Sequence, residues 1–124
     1  MGNRVLIVDD EPIIVISLEF LMKREGLDVR IAADGEAALA AVEESAPDIV
    51  LLDVMLPKVN GFEVCQRLRA DPRFRDVKII MLSARGRDSD QQKGLALGAD
   101  LYVTKPFSTK ELVAQVKQLL ASTS

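Results

Sequence analysis

The sequence predicts a single α/β domain in which a parallel sheet of five strands is covered by helices on both faces. Two observations predict this fold class. Short runs of β-branched residues alternate with longer helical patterns along the chain, and three of these runs are continuously apolar. Strands covered on both faces have this continuous apolar character because neither face meets water. Five β–α units joined by short loops therefore indicate one doubly wound domain over residues 1–124.

The strands are predicted from the apolar runs. VLIV, IVLL and IIML are the continuously apolar ones, and two less regular segments complete the set. The predicted strands are Arg4–Val8, Asp28–Ala32, Ile49–Leu52, Lys78–Leu82 and Leu101–Val103.

The helices between the strands are predicted from apolar periodicity and from residues that favour helix ends. The predicted helices cover residues 12–25, 35–45, 61–70, 88–97 and 109–121. Asp34 opens the second helix, and Asp88 and Ser108 begin capping-box patterns for the fourth and fifth. Gly26 and Gly98 stand where helix-ending residues belong.

The composition excludes several classes of function. Histidine is absent, which removes imidazole bases, phosphohistidine and zinc–histidine sites, and the single Cys65 excludes an internal disulfide. Setting aside Asp9, Asp10 and Asp53, the net charge of −3 becomes zero, so no basic excess favours nucleic-acid binding. No apolar run is long enough for a membrane span, and the N-terminus lacks the layout of a signal peptide, so we expect a cytoplasmic protein.

Polar side chains follow four of the predicted strands at their carboxyl ends, where open parallel sheets bind ligands. Asp9 and Asp10 follow the first strand, Asp53 the third, Ser83 the fourth and Lys105 the fifth. Carboxylates about 4 Å apart repel by roughly 4 kcal/mol per pair at an effective dielectric near 20, so the cluster needs a proton or a cation. Oxygen ligands without sulfur or imidazole suit Mg²⁺.

A metal beside an ammonium and a hydroxyl favours phosphoryl chemistry, with Lys105 and Ser83 contacting the phosphoryl oxygens and Asp53 as the nucleophile. The alternatives are that Asp10 only caps the first helix, that Asp53 is a turn residue and that Lys105 is a solvated charge. Because these polar residues occur together at four strand ends, the functional interpretation is favoured over the separate alternatives. Glu11 is interpreted as a helix-terminus charge or as a ligand that acts through water.

Five motifs occupy these strand ends: VLIVDDEP (5–12), IVLLDVMLP (49–57), Asn60-Gly61, IIMLSA (79–84) and GADLYVTKPF (98–107). Together they resemble the receiver domain of two-component response regulators over essentially the whole chain. The resemblance implies a flavodoxin-like sheet with strand order 2-1-3-4-5 and five helices. Two other classes of protein fit the sequence less well, one that also uses an aspartyl phosphate and one that has the same fold. A dehalogenase-type phosphatase spaces its aspartates differently after the first strand, and a flavodoxin-type electron carrier needs a hydroxyl- and glycine-rich loop there.

The resemblance also implies a role for each site residue. Asp53 would accept a phosphoryl group from the phosphohistidine of a sensor histidine kinase or a phosphotransfer protein. Asp10 and Asp53 would bind Mg²⁺ directly, Asp9 directly or through water, and Met55 through its backbone carbonyl.

The remaining implied roles concern a switch that acts on a downstream effector or output domain. Lys105 would pair with the phosphoryl group, the Ser83 hydroxyl would move to it, and Tyr102 would turn inward as that hydroxyl moves. Pro106 would follow a cis peptide bond. The changing face would comprise the fourth and fifth helices and the fifth strand. The protein would thus be a phosphorylation-controlled switch rather than an enzyme, with weak self-phosphorylation and autodephosphorylation.

The first helix carries two apolar stripes, and one core cannot bury both. Ile14, Leu18, Leu21 and Met22 form the stripe that is expected to face the sheet. Ile13, Ile16 and Phe20 lie on another face and are interpreted as the docking surface for the kinase. The alternative is that Phe20 folds over the domain edge and Ile13 is scattered surface apolarity.

Overall fold

The computed structural model describes residues 3–84 and 86–121, and it confirms the predicted doubly wound fold. Five parallel strands form one sheet in the order β2-β1-β3-β4-β5. The strands are β1 (Arg4–Val8), β2 (Asp28–Ala32), β3 (Ile49–Asp53), β4 (Lys78–Ser83) and β5 (Leu101–Thr104). The helices are α1 (Pro12–Arg24), α2 (Gly35–Glu44), α3 (Gly61–Ala70), α4 (Asp88–Ala96) and α5 (Thr109–Ala121), with a 3₁₀ turn at Pro72–Phe74.

Three strands run one residue further than predicted. Parallel pairing continues through Asp53 opposite Leu82 and through Ser83 opposite Thr104, so the ladder includes these polar residues. Asp53 and Ser83 are therefore the last residues of their strands. Hydrogen bonding to a neighbouring strand fixes their backbone, which places both side chains firmly at the carboxyl edge of the sheet.

The sheet separates two apolar cores, because successive side chains of a strand point to opposite faces. One core packs α1 and α5 on the sheet through Leu18, Met22, Leu112 and Val116. The other includes residues of α2 and α3, among them Cys65, which packs with Phe62 and Leu68 as expected. In contrast, α4 buries only Asp90 and Gly94, so no large apolar side chain anchors it.

The helix ends confirm most of the sequence signals. Asp34, Asn60 and Ser108 each accept a hydrogen bond from a backbone N–H in the first turn of α2, α3 and α5. Gly26 and Gly98 have φ of +83° and +110° where α1 and α4 end, a conformation that glycine adopts without a Cβ clash.

The capping box predicted at Asp88 is wrong. Helix α4 begins at Asp88 itself, and the residue before it, Arg87, makes no capping hydrogen bond with its side chain. Asp88 and Asp90 instead place negative charge in the first turn, where the helix dipole favours it. The Asp90 carboxylate accepts a hydrogen bond from Nε of Arg87 at 3.3 Å.

Among the described residues, no helix is both long enough and apolar enough to cross a lipid bilayer.

Candidate functional site

Three aspartates meet at the carboxyl edge of the sheet, as predicted. Asp9 and Asp10 follow β1, and Asp53 ends β3, which is the neighbouring strand. One carboxylate oxygen from each lies within 4.8 Å of the others. Asp9 and Asp53 are buried, whereas Asp10 is exposed. The alternative that Asp10 merely caps the first helix is wrong, because Glu11 is the residue that precedes α1.

The buried carboxylates receive little compensation from backbone donors. Asp9 Oδ1 accepts a hydrogen bond from the N–H of Glu11 at 2.9 Å, and Asp53 Oδ1 accepts one from the N–H of Met55 at 3.2 Å. Burial, together with the negative charge of Asp9, raises the pKa of Asp53 to about 6, although Lys105 and the Met55 N–H act in the opposite direction. The negative charge of the cluster is therefore not fully compensated, which favours a bound cation.

Lys105 supplies the one ammonium group that contacts this cluster among the described residues. Its side chain is only 11% exposed, and Nζ lies 3.0 Å from Asp9 Oδ2, 3.0 Å from Glu11 Oε1 and 3.7 Å from Asp53 Oδ2. Burial disfavours its charge, but these carboxylates outweigh burial and raise the pKa of Lys105 above its usual value. The peptide bond between Lys105 and Pro106 is cis, as expected.

Ser83 ends β4 and Tyr102 lies within β5, the two strands that follow β3 in the sheet. Ser83 is fully buried, and its backbone carbonyl accepts a hydrogen bond from the N–H of Lys105 at 2.7 Å. Tyr102 is half-buried and its ring packs against α4. A Cβ placed on Gly94 would come within 2.9 Å of Tyr102 Cδ2 and of Met81 Sδ, so a larger residue there would force the Tyr102 ring or the Met81 side chain to shift. The switch roles of Ser83 and Tyr102 stay predictions.

Two further glycines allow close backbone packing around the loop after β3. A Cβ on Gly61 would collide with the backbone carbonyl of Asp53, and one on Gly35 would collide with the carbonyl of Val59. The sequence pattern indicated Gly61 only as part of a helix-start motif, and nothing in it showed that Gly61 packs on the backbone of Asp53 itself.

The contact between Glu11 and Lys105 was not predicted from the sequence. Glu11 was expected to be a helix-terminus charge or a water-mediated ligand, whereas its carboxylate pairs directly with the ammonium. The only available signal was its position beside Asp9 and Asp10 at the strand end, which does not identify a partner on another strand.

The donor set fits a hard divalent cation. The three clustered side chains all offer carboxylate oxygens, and an oxygen-only site suits Mg²⁺, which keeps several of its own waters. A cleft of about 370 Å³ opens beside them, lined in part by Asp10, Met55 and Asn60. Such a cleft has room for a hydrated ion and a small anion. That Met55 contributes its carbonyl stays a prediction.

Comparison with known proteins identifies the family. The family model described as the response regulator receiver domain matches residues 5–117. The chain belongs to the response regulator receiver domains. The flavodoxin-like fold with strand order 2-1-3-4-5, which the resemblance implied, is thereby confirmed for this receiver domain.

Three solved structures illustrate the similarity. A protein from Chloroflexus aurantiacus J-10-fl assigned to the response regulators is 39% identical, with a TM-score of 0.91 over 98% of this chain and 99% of the other. The beryllofluoride-activated receiver domain of DrrB is 33% identical, with a TM-score of 0.88 over 98% and 99%. The receiver domain of a sensor histidine kinase from Pseudomonas aeruginosa PAO1 is 30% identical, with a TM-score of 0.89 over 98% and 100%, and holds magnesium in its active-site cleft.

Magnesium is expected to stabilise this receiver domain through Asp10. At ten times its Kd, the ion should raise the melting temperature of the wild type by about 5 °C through mass action. Asp10→Ala removes the exposed carboxylate of the cluster and should lose this response. Asp76→Ala is the matched control, because Asp76 is exposed and precedes β4 at the opposite edge of the sheet. Differential scanning fluorimetry measures both, and a full magnesium response in Asp10→Ala would remove Asp10 from the site.

Proposed function

We propose that this receiver domain accepts a phosphoryl group on Asp53 from the phosphohistidine of a sensor histidine kinase or a phosphotransfer protein. The observation that carries the proposal is the position of Asp53. Its buried carboxylate lies between two further aspartates and the ammonium of Lys105, at the end of a central strand. Asp9, Asp10 and the Met55 carbonyl would hold Mg²⁺ together with Asp53.

In the proposed reaction, an oxygen of Asp53 attacks the phosphorus of the phosphohistidine. A bond forms between that oxygen and phosphorus, the bond between phosphorus and the imidazole nitrogen breaks, and the imidazole leaves as a neutral group after taking up a proton. Bound Mg²⁺ would neutralise charge on the phosphoryl oxygens. Lys105, 3.7 Å from Asp53 in the unphosphorylated protein, is close enough to pair with the new phosphoryl group after a small movement.

The proposed role is that of a signalling switch with weak self-phosphorylation and autodephosphorylation. The phosphoryl group adds about two negative charges and favours the state in which Ser83 and Lys105 contact it. The output would be the face formed by α4, β5 and α5, read by an effector or an output domain. The weak apolar anchoring of α4 supports this, because elements that bury few apolar groups rearrange most easily.

The proposal is tested by incubating the wild type with acetyl phosphate and measuring its intact mass. In the presence of Mg²⁺ one phosphoryl group should be added, and chelation of the metal should prevent it. If the wild type gains no phosphoryl group at every magnesium concentration tried, phosphoryl acceptance is contradicted.

We further propose that the outer stripe of α1 binds the kinase. Ile13, Ile16 and Phe20 are 79%, 66% and 63% exposed, while Leu18 and Met22 on the opposite side are buried in the core. The alternative that Phe20 folds over the domain edge is wrong at this exposure. The Arg24 guanidinium lies 5.7 Å from the Phe20 ring centroid and leaves the stripe accessible.

Replacing Ile13 and Phe20 together by serine should slow transfer from the cognate kinase about tenfold or more, which corresponds to about 1.4 kcal/mol. Labelling by acetyl phosphate should be unchanged, because the aspartate cluster is untouched. Leu95→Ser is the matched control, since Leu95 is also exposed and apolar but lies on α4. Radiolabelled transfer assays measure the rates, and wild-type rates in the double variant would show that the stripe does not bind the kinase.

The cytoplasmic location and the identity of the downstream effector stay predictions.

A further inference from the structure

Besides two of the clustered aspartates, the Lys105 ammonium contacts a carboxylate from outside the cluster, that of Glu11. Glu11 contacts Nζ at 3.0 Å, the same distance as Asp9 and closer than Asp53 at 3.7 Å. The Glu11 side chain is 60% exposed, whereas that of Lys105 is 11% exposed. A largely exposed carboxylate thus contacts a nearly buried ammonium 94 residues away in the chain.

Glu11 does not use this carboxylate for a simpler local purpose. It is the residue that precedes α1, a position where a side chain commonly accepts a hydrogen bond from the first helical turn. No such capping bond forms, and the carboxylate turns to Lys105 instead. Glu11 is also absent from the set of carboxylates whose oxygens lie close enough together to share a metal ion.

We propose that Glu11 is a positioning residue that holds Lys105 in its resting place and competes with the phosphoryl group for the ammonium. This inference rests on the proposed function, because it concerns the same lysine. When Asp53 carries a phosphoryl group, Lys105 must give up one or more of its resting contacts to reach it. Of the three carboxylates that contact Lys105, only that of Glu11 would neither bind Mg²⁺ nor carry the phosphoryl group, so it stays available to hold the ammonium.

The expected effect is modest, because partly exposed ion pairs contribute little. Loss of the Glu11 contact should strengthen the binding of beryllofluoride, a phosphoryl mimic, about two- to fivefold at saturating Mg²⁺. Two substitutions distinguish the effect of the length of the Glu11 side chain from the effect of its charge. E11D keeps the charge but shortens the side chain by one methylene, and E11Q keeps the length but removes the charge.

These variants distinguish three explanations. If Glu11 competes for Lys105 by direct contact, both variants bind beryllofluoride more tightly than the wild type. If Glu11 only repels an anion through its charge, E11D binds as the wild type does and only E11Q binds more tightly. If Glu11 acts as a ligand through water, both variants bind more weakly. The second and third results would overturn the proposal.

The experiment is a beryllofluoride titration of the full chain at saturating Mg²⁺, followed by NMR. E19D is the matched control, because Glu19 pairs with Lys23 at 3.0 Å on the same helix. Its affinity should equal that of the wild type. A second readout uses no metal: the side-chain Cε and Hε signals of Lys105 should shift in E11D and E11Q but not in E19D. Unchanged Lys105 signals would overturn the proposal independently of any anion.

The titration also separates this inference from the proposed function. Absence of beryllofluoride binding in the wild type would contradict phosphoryl acceptance and the role of Glu11 together. Normal binding in the wild type with equal affinity in both variants would contradict the role of Glu11 alone.

Discussion

Replacing Asp53 with asparagine is expected to abolish covalent phosphorylation while leaving the fold intact. The amide has the same shape as the carboxylate, and its oxygen can still accept the hydrogen bond from the N–H of Met55. It cannot form an acyl phosphate, so labelling by acetyl phosphate should fall to background. Intact-mass measurement gives this result, and Asp76→Asn, at the opposite edge of the sheet, should label as the wild type does.

The thermal stability of the Asp53→Asn variant can also be predicted. Burial and Asp9 raise the pKa of Asp53 to about 6, which means that the folded state disfavours its ionised form. The unfolded protein ionises this carboxyl freely near neutral pH, so ionisation there costs folding free energy. Without magnesium, Asp53→Asn should therefore melt at a temperature at least as high as the wild type. A lower melting temperature together with retained labelling would contradict the assignment of Asp53.

Replacing Lys105 with alanine is expected to separate phosphorylation from the switch. Labelling of Asp53 should persist at a reduced level, because Mg²⁺ and the aspartates remain. The response of α4 and β5 should be lost, because no ammonium would then draw the loop after β5 toward the phosphoryl group. The measurement is the perturbation of backbone NMR signals of residues 88–103 by beryllofluoride.

Lys117→Ala is the control for Lys105→Ala. Lys117 pairs with Glu25 at 3.1 Å between α5 and α1 and lies away from the cluster. This variant should show wild-type perturbations. Wild-type perturbations in Lys105→Ala itself would show that another group couples the site to the output face.

The strands and the aspartate cluster were predictable for one physical reason. A parallel strand buried on both faces must be apolar along its whole length, so VLIV, IVLL and IIML stand out in the sequence. The polar residue that follows each run must then lie at the carboxyl edge, because all the strands point the same way. Asp9, Asp53, Ser83 and Lys105 meet there for that reason.

The contacts that sequence reasoning missed join residues that are distant in the chain. Glu11 and Lys105 are 94 positions apart, and no local pattern indicates that they pair. Arg69 is a second example. Its guanidinium donates hydrogen bonds to the carbonyls of Val77 and Gly98 and pairs with Asp100 at 3.0 Å, so it ties the end of α4 to the loop after α3. Side-chain direction decides such contacts, and composition and periodicity carry no information about it.

The capping box at Asp88 failed for a local reason. The pattern of an acid followed three residues later by glutamine also occurs when the helix begins one residue earlier. The sequence does not distinguish between these two helix starts. The first turn of α4 makes up for the missing cap with its own charges and with the hydrogen bond from Arg87 to Asp90.

Phosphorylation of Asp53 is tested most directly by locating the modified residue in the wild type. Borohydride reduces an aspartyl phosphate to homoserine, and peptide mass spectrometry then identifies the position. After incubation with acetyl phosphate and Mg²⁺, homoserine should appear at position 53 alone. Homoserine in place of Asp9 or Asp10, or a phosphoryl mass that survives reduction on a hydroxyl side chain, would contradict Asp53 as the phosphoryl acceptor.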